Sequence, residues 1–554
     1  MRKFRDILLG CIIAGLISTC ADLNLAGGGL DTETSGGTVV GLLVAEDGTP
    51  EKYAKVFCVP SSYNGLKDPQ LSDSFINTTD ETGCYRFSRV KKGGYNIQAV
   101  SPDKKTNVLI CGINVDKDSI IVPSDTLHPS ATLKIVFPDN GNSASGYCYL
   151  PGTTFFTPVQ NGLAVMSDVP AGFIPAANYF DTRDSTKNHV VKAGFFISPD
   201  DTTVITDLTP WKFSKKLFLN TTVTGANITG NVYDFPVLVR LTSSNLDFAG
   251  VGPDGSDLRF AKSDNTPLPY EIEQWDAKVR RAEIWVKIDT IYGNDSTQYI
   301  NMYWGNPNAT SASNGAAVFD TGKGFQGVWH LGEMDSLASD ATGNRLDGTG
   351  YFTTPAAGMI GNARYFNGYS GVIRMKGTAS SRLSFPMNGR YSVSAWVYHD
   401  TLADSVTYLI AGKGEHQYFI KNFDLGLSTG QPARQWEFSE YHENDWQSAT
   451  FVPATAKSWV YLVGVRDGSN EYLYVNGILA MNKVFAANQG QSFQDTSDDF
   501  AIGGFLRPVT TFNQGYSYFR GIIDEVTVSN TPRSADWVKL NYMNQKEKDA
   551  LVRW

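Results

Sequence analysis

Tyr391-Ser-Val-Ser-Ala-Trp-Val397, Trp459-Val-Tyr-Leu-Val-Gly-Val465, Tyr472-Leu-Tyr-Val-Asn-Gly477 and Gly521-Ile-Ile-Asp-Glu-Val-Thr-Val528 decide the fold. Each alternates apolar and polar residues at period two. β-branched and aromatic side chains take one face, and Gly, Asn or Asp stand at the joints, as half-buried antiparallel strands require. Upstream, Gly327-Val-Trp-His-Leu-Gly-Glu333 has the same character. These segments predict a β-sandwich across the C-terminal part of the chain.

In order and wording they resemble the LamG or concanavalin A-like lectin family, a jelly-roll of two sheets that usually binds glycans or proteins. The resemblance runs from Gly327 to about Asn541, and the domain is placed at 322–545. The segment Ser534-Ala-Asp-Trp-Val-Lys-Leu-Asn541, with a serine cap and apolar residues at helical spacing, predicts a short helix that closes it. A fold alone does not define a function.

Residues 211–310 hold Phe235-Pro-Val-Leu-Val-Arg-Leu241, Leu268-Pro-Tyr-Glu-Ile-Glu-Gln-Trp275, Ala282-Glu-Ile-Trp-Val-Lys-Ile288 and Ile300-Asn-Met-Tyr-Trp-Gly-Asn-Pro307. Their wording resembles the bacterial domain of unknown function 2341, which implies an architecture and no activity. In residues 38–125, Asn77-Thr-Thr-Asp-Glu-Thr-Gly-Cys-Tyr-Arg-Phe87 reads as a hairpin, with Gly83 supplying the positive φ of a tight turn. This stretch resembles the carboxypeptidase regulatory-like module, a transthyretin-like sandwich that serves as a spacer. Residues 130–207 repeat its order in divergent form. The predicted class is therefore all-β and multidomain, with transthyretin-like sandwiches followed by a β-sandwich and a concanavalin A-like jelly-roll.

At the start, Met1-Arg-Lys-Phe-Arg5 precedes the apolar run Ile7 to Ile17 and then Ser18-Thr-Cys20. This is the form of an export signal over residues 1–20, shorter than the roughly 20 apolar residues of a membrane span. It resembles a bacterial lipoprotein box, which implies lipidation at Cys20 and an outer-membrane lipoprotein facing the cell surface. Thr19 departs from the small residue usual in that box, and an ordinary cleaved signal or a short anchor is the alternative. Residues 21–37, rich in Gly, Thr and Asp, read as a flexible tether. Cys58, Cys84, Cys111 and Cys148 allow two disulfides in an exported chain, or remain buried thiols.

A length of 554 residues predicts several domains, and a net charge of -9 without a basic aromatic cluster argues against nucleic acid as a partner. The six histidines are scattered, with no pair at metal-binding spacing. No Gly-x-Ser-x-Gly elbow, His-Glu-x-x-His helix or phosphate loop stands in the chain. Nor is there the Glu-x-Asp-x-x-Glu strand that a jelly-roll glycosidase commonly carries. Glu271 and Glu273 would share one face of a strand, the usual pattern of a solvated surface. His330 reads as a core or edge imidazole. The expectation is of no enzyme.

Two kinds of site are expected instead. The loop Asp340-Ala-Thr-Gly-Asn344 can converge oxygens on an ion, and the lectin-like resemblance implies a structural Ca2+ held by Asp340, Asn344 and Asp524. A plain Asx turn is the other reading of that loop. The turn Asp254-Gly-Ser-Asp257 reads chiefly as a turn between strands. Tyr418, Trp436 and Trp446 stand among polar residues and offer rings on which a sugar could stack, or serve as core rings. The expected function is non-catalytic binding of a polysaccharide or a surface protein. The alternatives are a structural component of the envelope and an unrecognised carbohydrate-active enzyme.

Overall fold

The computed structural model describes residues 36–137, 146–377, 382–385, 389–401, 407–415, 420–428, 435–439, 441–442, 445–446, 450–484, 499–504 and 516–554. The chain is all-β and forms two compact units. The first holds the residues up to Trp211 together with two short segments, and the second holds most of Lys212–Trp554.

The first unit contains two sandwiches of one topology. In the first sandwich, Gly37–Val44 pairs antiparallel with Cys84–Val90 and parallel with Ser119–Ile121. The opposing sheet runs Ile76–Thr78, Lys55–Pro60, Gly93–Val100, Thr106–Val115. In the second, Ala131–Val136 pairs antiparallel with Leu163–Val169 and parallel with Thr202–Thr206. Facing it are Phe156–Pro158, Gly146–Tyr149, Gly172–Asp181 and His189–Ile197 in the matching order. The repeat extends to local detail, since Ser88-Arg-Val90 and Ser167-Asp-Val169 each turn through a positive φ at the middle residue. Each sandwich has its own core, built around Val56, Phe87 and Ile97 in one and Leu133, Ala177 and Ile197 in the other.

One local expectation is corrected here. Ile76–Thr78 and Cys84–Val90 lie in different sheets, so the turn between them is a crossover and not a hairpin. The Asp80 carboxylate fixes it by accepting from Thr82 N, Thr82 Oγ1 and Cys84 N at 2.8, 2.6 and 3.1 Å. Cys58, Cys111 and Cys148 are free thiols, so the four cysteines do not form two bridges among themselves. Burial pushes the Cys58 thiol up to about 12, which makes it an inert core group.

In the second unit, Val232–Thr242, Arg281–Ile291 and Tyr270–Asp276 form one antiparallel sheet. A second sheet holds Arg259–Lys262, Tyr299–Trp304 and Phe213–Leu219. Beyond them stand the two large sheets of the C-terminal sandwich. One is centred on Arg520–Ser529, Arg390–His399 and Trp459–Asp467, and the other on Val372–Met375, Phe500–Ile502 and Thr407–Glu415.

These two blocks, expected as separate domains at 211–310 and 322–545, share a single core. Leu238, Trp285 and Val286 of the first belong to the same buried cluster as Trp396, Tyr461, Val463 and Trp537 of the second. The helix Ala535–Gln545 is the joint. Its N-cap Ser534 accepts from Trp537 N at 3.2 Å, as the sequence leads one to expect. At its other end the Asn544 side chain pairs with Leu238 N and O at 2.7 and 3.0 Å, in the manner of a neighbouring strand. Trp396 Nε1 donates to Gln545 Oε1 at 2.6 Å. The chain then returns to the first block, where Val552–Arg553 adds to the edge of Phe213–Leu219.

That return has a pH signature. Burial pushes the Asp549 carboxyl up to about 6, although Leu551 N, Asn544 and Arg240 favour its charge. The folded pKa lies above the unfolded one, so the contribution of Asp549 is fully present below about pH 4 and is lost as pH rises to about 6. Asp549→Asn removes this loss while keeping an acceptor for Leu551 N. The stability of the variant relative to wild type, from urea unfolding at several pH values, is expected to rise between pH 4 and 6 and then level off.

Candidate functional site

Three acidic side chains converge on His330. Its Nδ1 lies 2.9 and 3.0 Å from the two carboxylate oxygens of Glu525 and 3.7 Å from Glu273 Oε2. On the other side of the ring, Nε2 is 3.3 Å from Glu271 Oε2. Trp285 Nε1 donates to Glu273 at 2.7 Å, and the imidazole stacks on the Trp285 ring with centroids 5.8 Å apart. Glu273, His330 and Glu525 present ligand atoms that all lie within 4.8 Å of one another.

Local irregularities in the strands aim these groups. In Tyr270–Asp276, Ile272 faces Ile284 and Gln274 faces Glu283, which leaves Glu273 as the extra residue of a β-bulge. In Arg520–Ser529 the register also slips, between the partners of Ser394 and Trp396, and Glu525 takes a φ of +52°. Leu331, directly after His330, takes +64°. Bulges re-aim side chains, and left-handed backbone at non-glycine residues costs on the order of 1–3 kcal/mol each, a burden concentrated at functional sites. Gly361 is needed for closeness, because a Cβ there would stand 2.4 Å from Gln274 Oε1 and 3.0 Å from Glu273 Oε1.

The electrostatics follow from burial. Burial, reinforced by the neighbouring Glu525, holds the Glu273 carboxyl well above the usual carboxylate range. Burial and Glu525 do the same to Asp524, whose Oδ2 accepts from Ile360 N at 3.0 Å while its Oδ1 has no partner. For His330, burial opposes the charge, but Glu525, Glu273 and Glu271 outweigh it and hold the imidazole well above its ordinary value. A cavity of about 270 Å³ adjoins the cluster, lined by Glu271, Glu273, Gln274, His330, Glu333, Ser339 and Asn362 among others. On two of these residues, Gln274 Oε1 and Glu333 Oε2 are buried acceptors without a partner.

The residues singled out from sequence fall elsewhere or in part here. Asp340 serves its own turn: Oδ1 accepts from Val328 N and Thr342 N, and Oδ2 from Thr342 Oγ1 and Leu346 N. Asn344 Nδ2 donates to Gln326 O, and its Oδ1 accepts from Arg382 at 3.2 Å. Four protein donors thus occupy the Asp340 carboxylate and one occupies Asn344 Oδ1, the arrangement of the Asx-turn reading of this loop. Asp524 instead stands electrostatically beside Glu273, Glu525 and His330. Asp257 is likewise consumed internally, by Gly252 N and Gly305 N at 2.8 and 2.7 Å. Trp436 is a correction: at 1 % exposure it is a core ring and cannot meet a sugar. Tyr418, the Trp446 side chain and Cys20 lie outside the described residues. Glu271 and Glu273, expected on a solvated face, are instead drawn against His330, with Gly361 close beside Glu273.

The comparisons with known proteins agree with the sheet architecture. Residues 375–539 match the family model described as the concanavalin A-like lectin/glucanases superfamily, and residues 254–332 match the domain of unknown function DUF2341. The second match extends past residue 310 as far as His330 and beyond, in keeping with the shared core. None of the curated proteins matches the chain. Among solved structures, domain 4 of an extracellular arabinanase from Geobacillus stearothermophilus, in complex with arabinotriose, is 21% identical. That alignment covers 39% of this chain and 97% of that one, with a TM-score of 0.28. The sialidase of Trypanosoma rangeli is 11% identical over 86% of this chain and 69% of its own, with a TM-score of 0.32. A structure of botulinum neurotoxin type C is 10% identical over 41% of this chain and 53% of its own, with a TM-score of 0.31, so this chain spans about half its length. Likeness at this level carries no argument about function.

Proposed function

We propose that this protein is a non-catalytic binding protein of the cell envelope that recognises a polysaccharide, and that the cavity beside His330 receives one sugar residue. The observation that carries the reading is the cavity itself, which is lined by the polar side chains of Glu271, Gln274, Glu333, Ser339 and Asn362 beside the His330 imidazole. Carboxylate, amide and hydroxyl groups of this kind are those that pair with the hydroxyl groups of a sugar. The concanavalin A-like match supports the same class of ligand. The form of residues 1–20 supports export and a lipid anchor at Cys20, and with them a binding unit outside the cell.

The convergence of Glu273 and Glu525 raises glycoside hydrolysis as a second reading. Hydrolases place two carboxyl groups about 5–9.5 Å apart, astride the bond to be cut. Here both carboxylates grip one imidazole, with ligand atoms within 4.8 Å. That spacing favours a cage over a cleft, and the binding reading is retained.

The test is a glycan array and an insoluble-polysaccharide pull-down with the full chain, alongside Glu333→Gln. Retention of one polysaccharide class, weakened at least about tenfold in the variant, is expected, tenfold being 1.4 kcal/mol of binding free energy. No retention, or equal retention by the variant, sinks the reading. Metabolic labelling with palmitate, abolished by Cys20→Ser, checks the anchor.

A further inference from the structure

We infer that Glu273, His330 and Glu525 form a site for a divalent transition ion of the zinc or manganese class, with Asp524 as a third carboxylate beside it. The spacing is that of a coordination sphere. Metal–ligand bonds of about 2.0–2.2 Å place neighbouring ligand atoms about 2.8–3.6 Å apart. His330 Nδ1 stands 2.9 Å from Glu525 Oε1, inside that range, and 3.7 Å from Glu273 Oε2, just beyond it, so a small shift of the Glu273 carboxylate completes the set.

The outer groups are arranged for the same purpose. A ligating imidazole characteristically gives its other N–H to a carboxylate, which fixes the tautomer and the ring. Glu271 occupies that position at Nε2, 3.3 Å away, which leaves the Nδ1 lone pair to face Glu273 and Glu525. Trp285 Nε1 holds the Glu273 carboxylate, and Trp285 and Phe319 hold the imidazole ring.

An independent observation points to a cation. Asp524 is fully buried, and its Oδ1 has no hydrogen-bond partner although it interacts electrostatically with Glu273, Glu525 and His330. Glu283 is paired with Arg281, and Arg240 also acts on Glu273, but Glu271, Glu273, Glu525 and Asp524 still gather around the single imidazole of His330. Buried negative charge in such excess requires protons or a metal. The nitrogen ligand separates this site from calcium, which takes oxygen ligands throughout.

The experiment uses the full chain, freed of metal with a chelator, dialysed, and titrated separately with Zn2+, Mn2+ and Ca2+. Calorimetry, bound-metal content and thermal unfolding are the readouts, and none involves a sugar. A chain that binds the ion and no polysaccharide therefore fails the functional reading above without touching this one. One equivalent of Zn2+ or Mn2+ with a raised Tm is expected, and no comparable effect of Ca2+. His330→Gln, which keeps the free cysteines and so controls for thiol binding, loses the equivalent. Glu271→Gln, which leaves all the ligands in place, binds roughly 10–100-fold more weakly. No stoichiometric ion on the wild-type chain, unchanged binding by folded His330→Gln, or preference for Ca2+ overturns the inference. If His330→Gln does not fold, Glu271→Gln decides: an affinity equal to wild type overturns it.

Discussion

Residues 322–545, expressed alone, are expected to aggregate or to lack a cooperative melting transition, whereas residues 212–554 melt as one unit. The fragment keeps Trp396, Tyr461, Val463 and Trp537 but removes Leu238, Trp285 and Val286, which belong to the same buried cluster. It also strips the strand that Asn544 pairs with and the Phe235 ring on which Trp537 packs, with centroids 5.4 Å apart. Uncovering the four retained side chains at about 1.5–3 kcal/mol each is comparable to the whole of the roughly 5–15 kcal/mol that stabilises a typical domain. Calorimetry on both fragments checks this. A sharp two-state transition for 322–545 at the temperature seen for 212–554 would show that the two blocks are independent domains.

Trp436→Ala is expected to destabilise the second unit by about 3–5 kcal/mol, the range for truncating a buried tryptophan. The side chain is 1 % exposed and sits in the core of the C-terminal sandwich with Phe438, Val393 and Leu462. Its strand, Gln435–Ser439, is paired on both sides, by Ile420–Ser428 and Thr450–Pro453, so the backbone cannot readily collapse into the cavity left behind. Urea unfolding is expected to show a lower midpoint with an unchanged slope. If stability is unaffected while polysaccharide retention falls, Trp436 is a binding ring after all.

The same two regions show how far pattern carries. The period-two alternation of Tyr391–Val397 and Trp459–Val465 is a local property, because each strand buries one face against whatever covers it. Both strands therefore lie where the pattern puts them. The serine cap at 534 is equally local and is equally present. The joint between the blocks was not legible, because Asn544 and Gln545 look like polar helix-end residues until Leu238 and Trp396 stand opposite them. Trp436 was misread for a similar reason: its neighbours in sequence are polar, but its neighbours in space are not.

The His330 site had a faint signal. Asp524-Glu525 interrupts an apolar strand, Glu271 and Glu273 alternate in another, and His330 follows a core tryptophan. Charge within an apolar run means burial with a partner or an ion, but the partners lie 195 and 59 residues from His330 in the chain.

For the chain read at the start through Tyr391–Val397 and Gly521–Val528, the order of residues was enough to settle the all-β class and the strands of the C-terminal sandwich, since alternation and turn chemistry act over a few residues. Tertiary structure alone decided that the sandwich and the block before it are one unit, and that an imidazole and three carboxylates meet there. Those outcomes depend on a β-bulge at Glu273, left-handed backbone at Leu331 and Glu525, and a helix that packs back across the chain. Each brings together groups that are far apart in sequence, where no periodicity can reach.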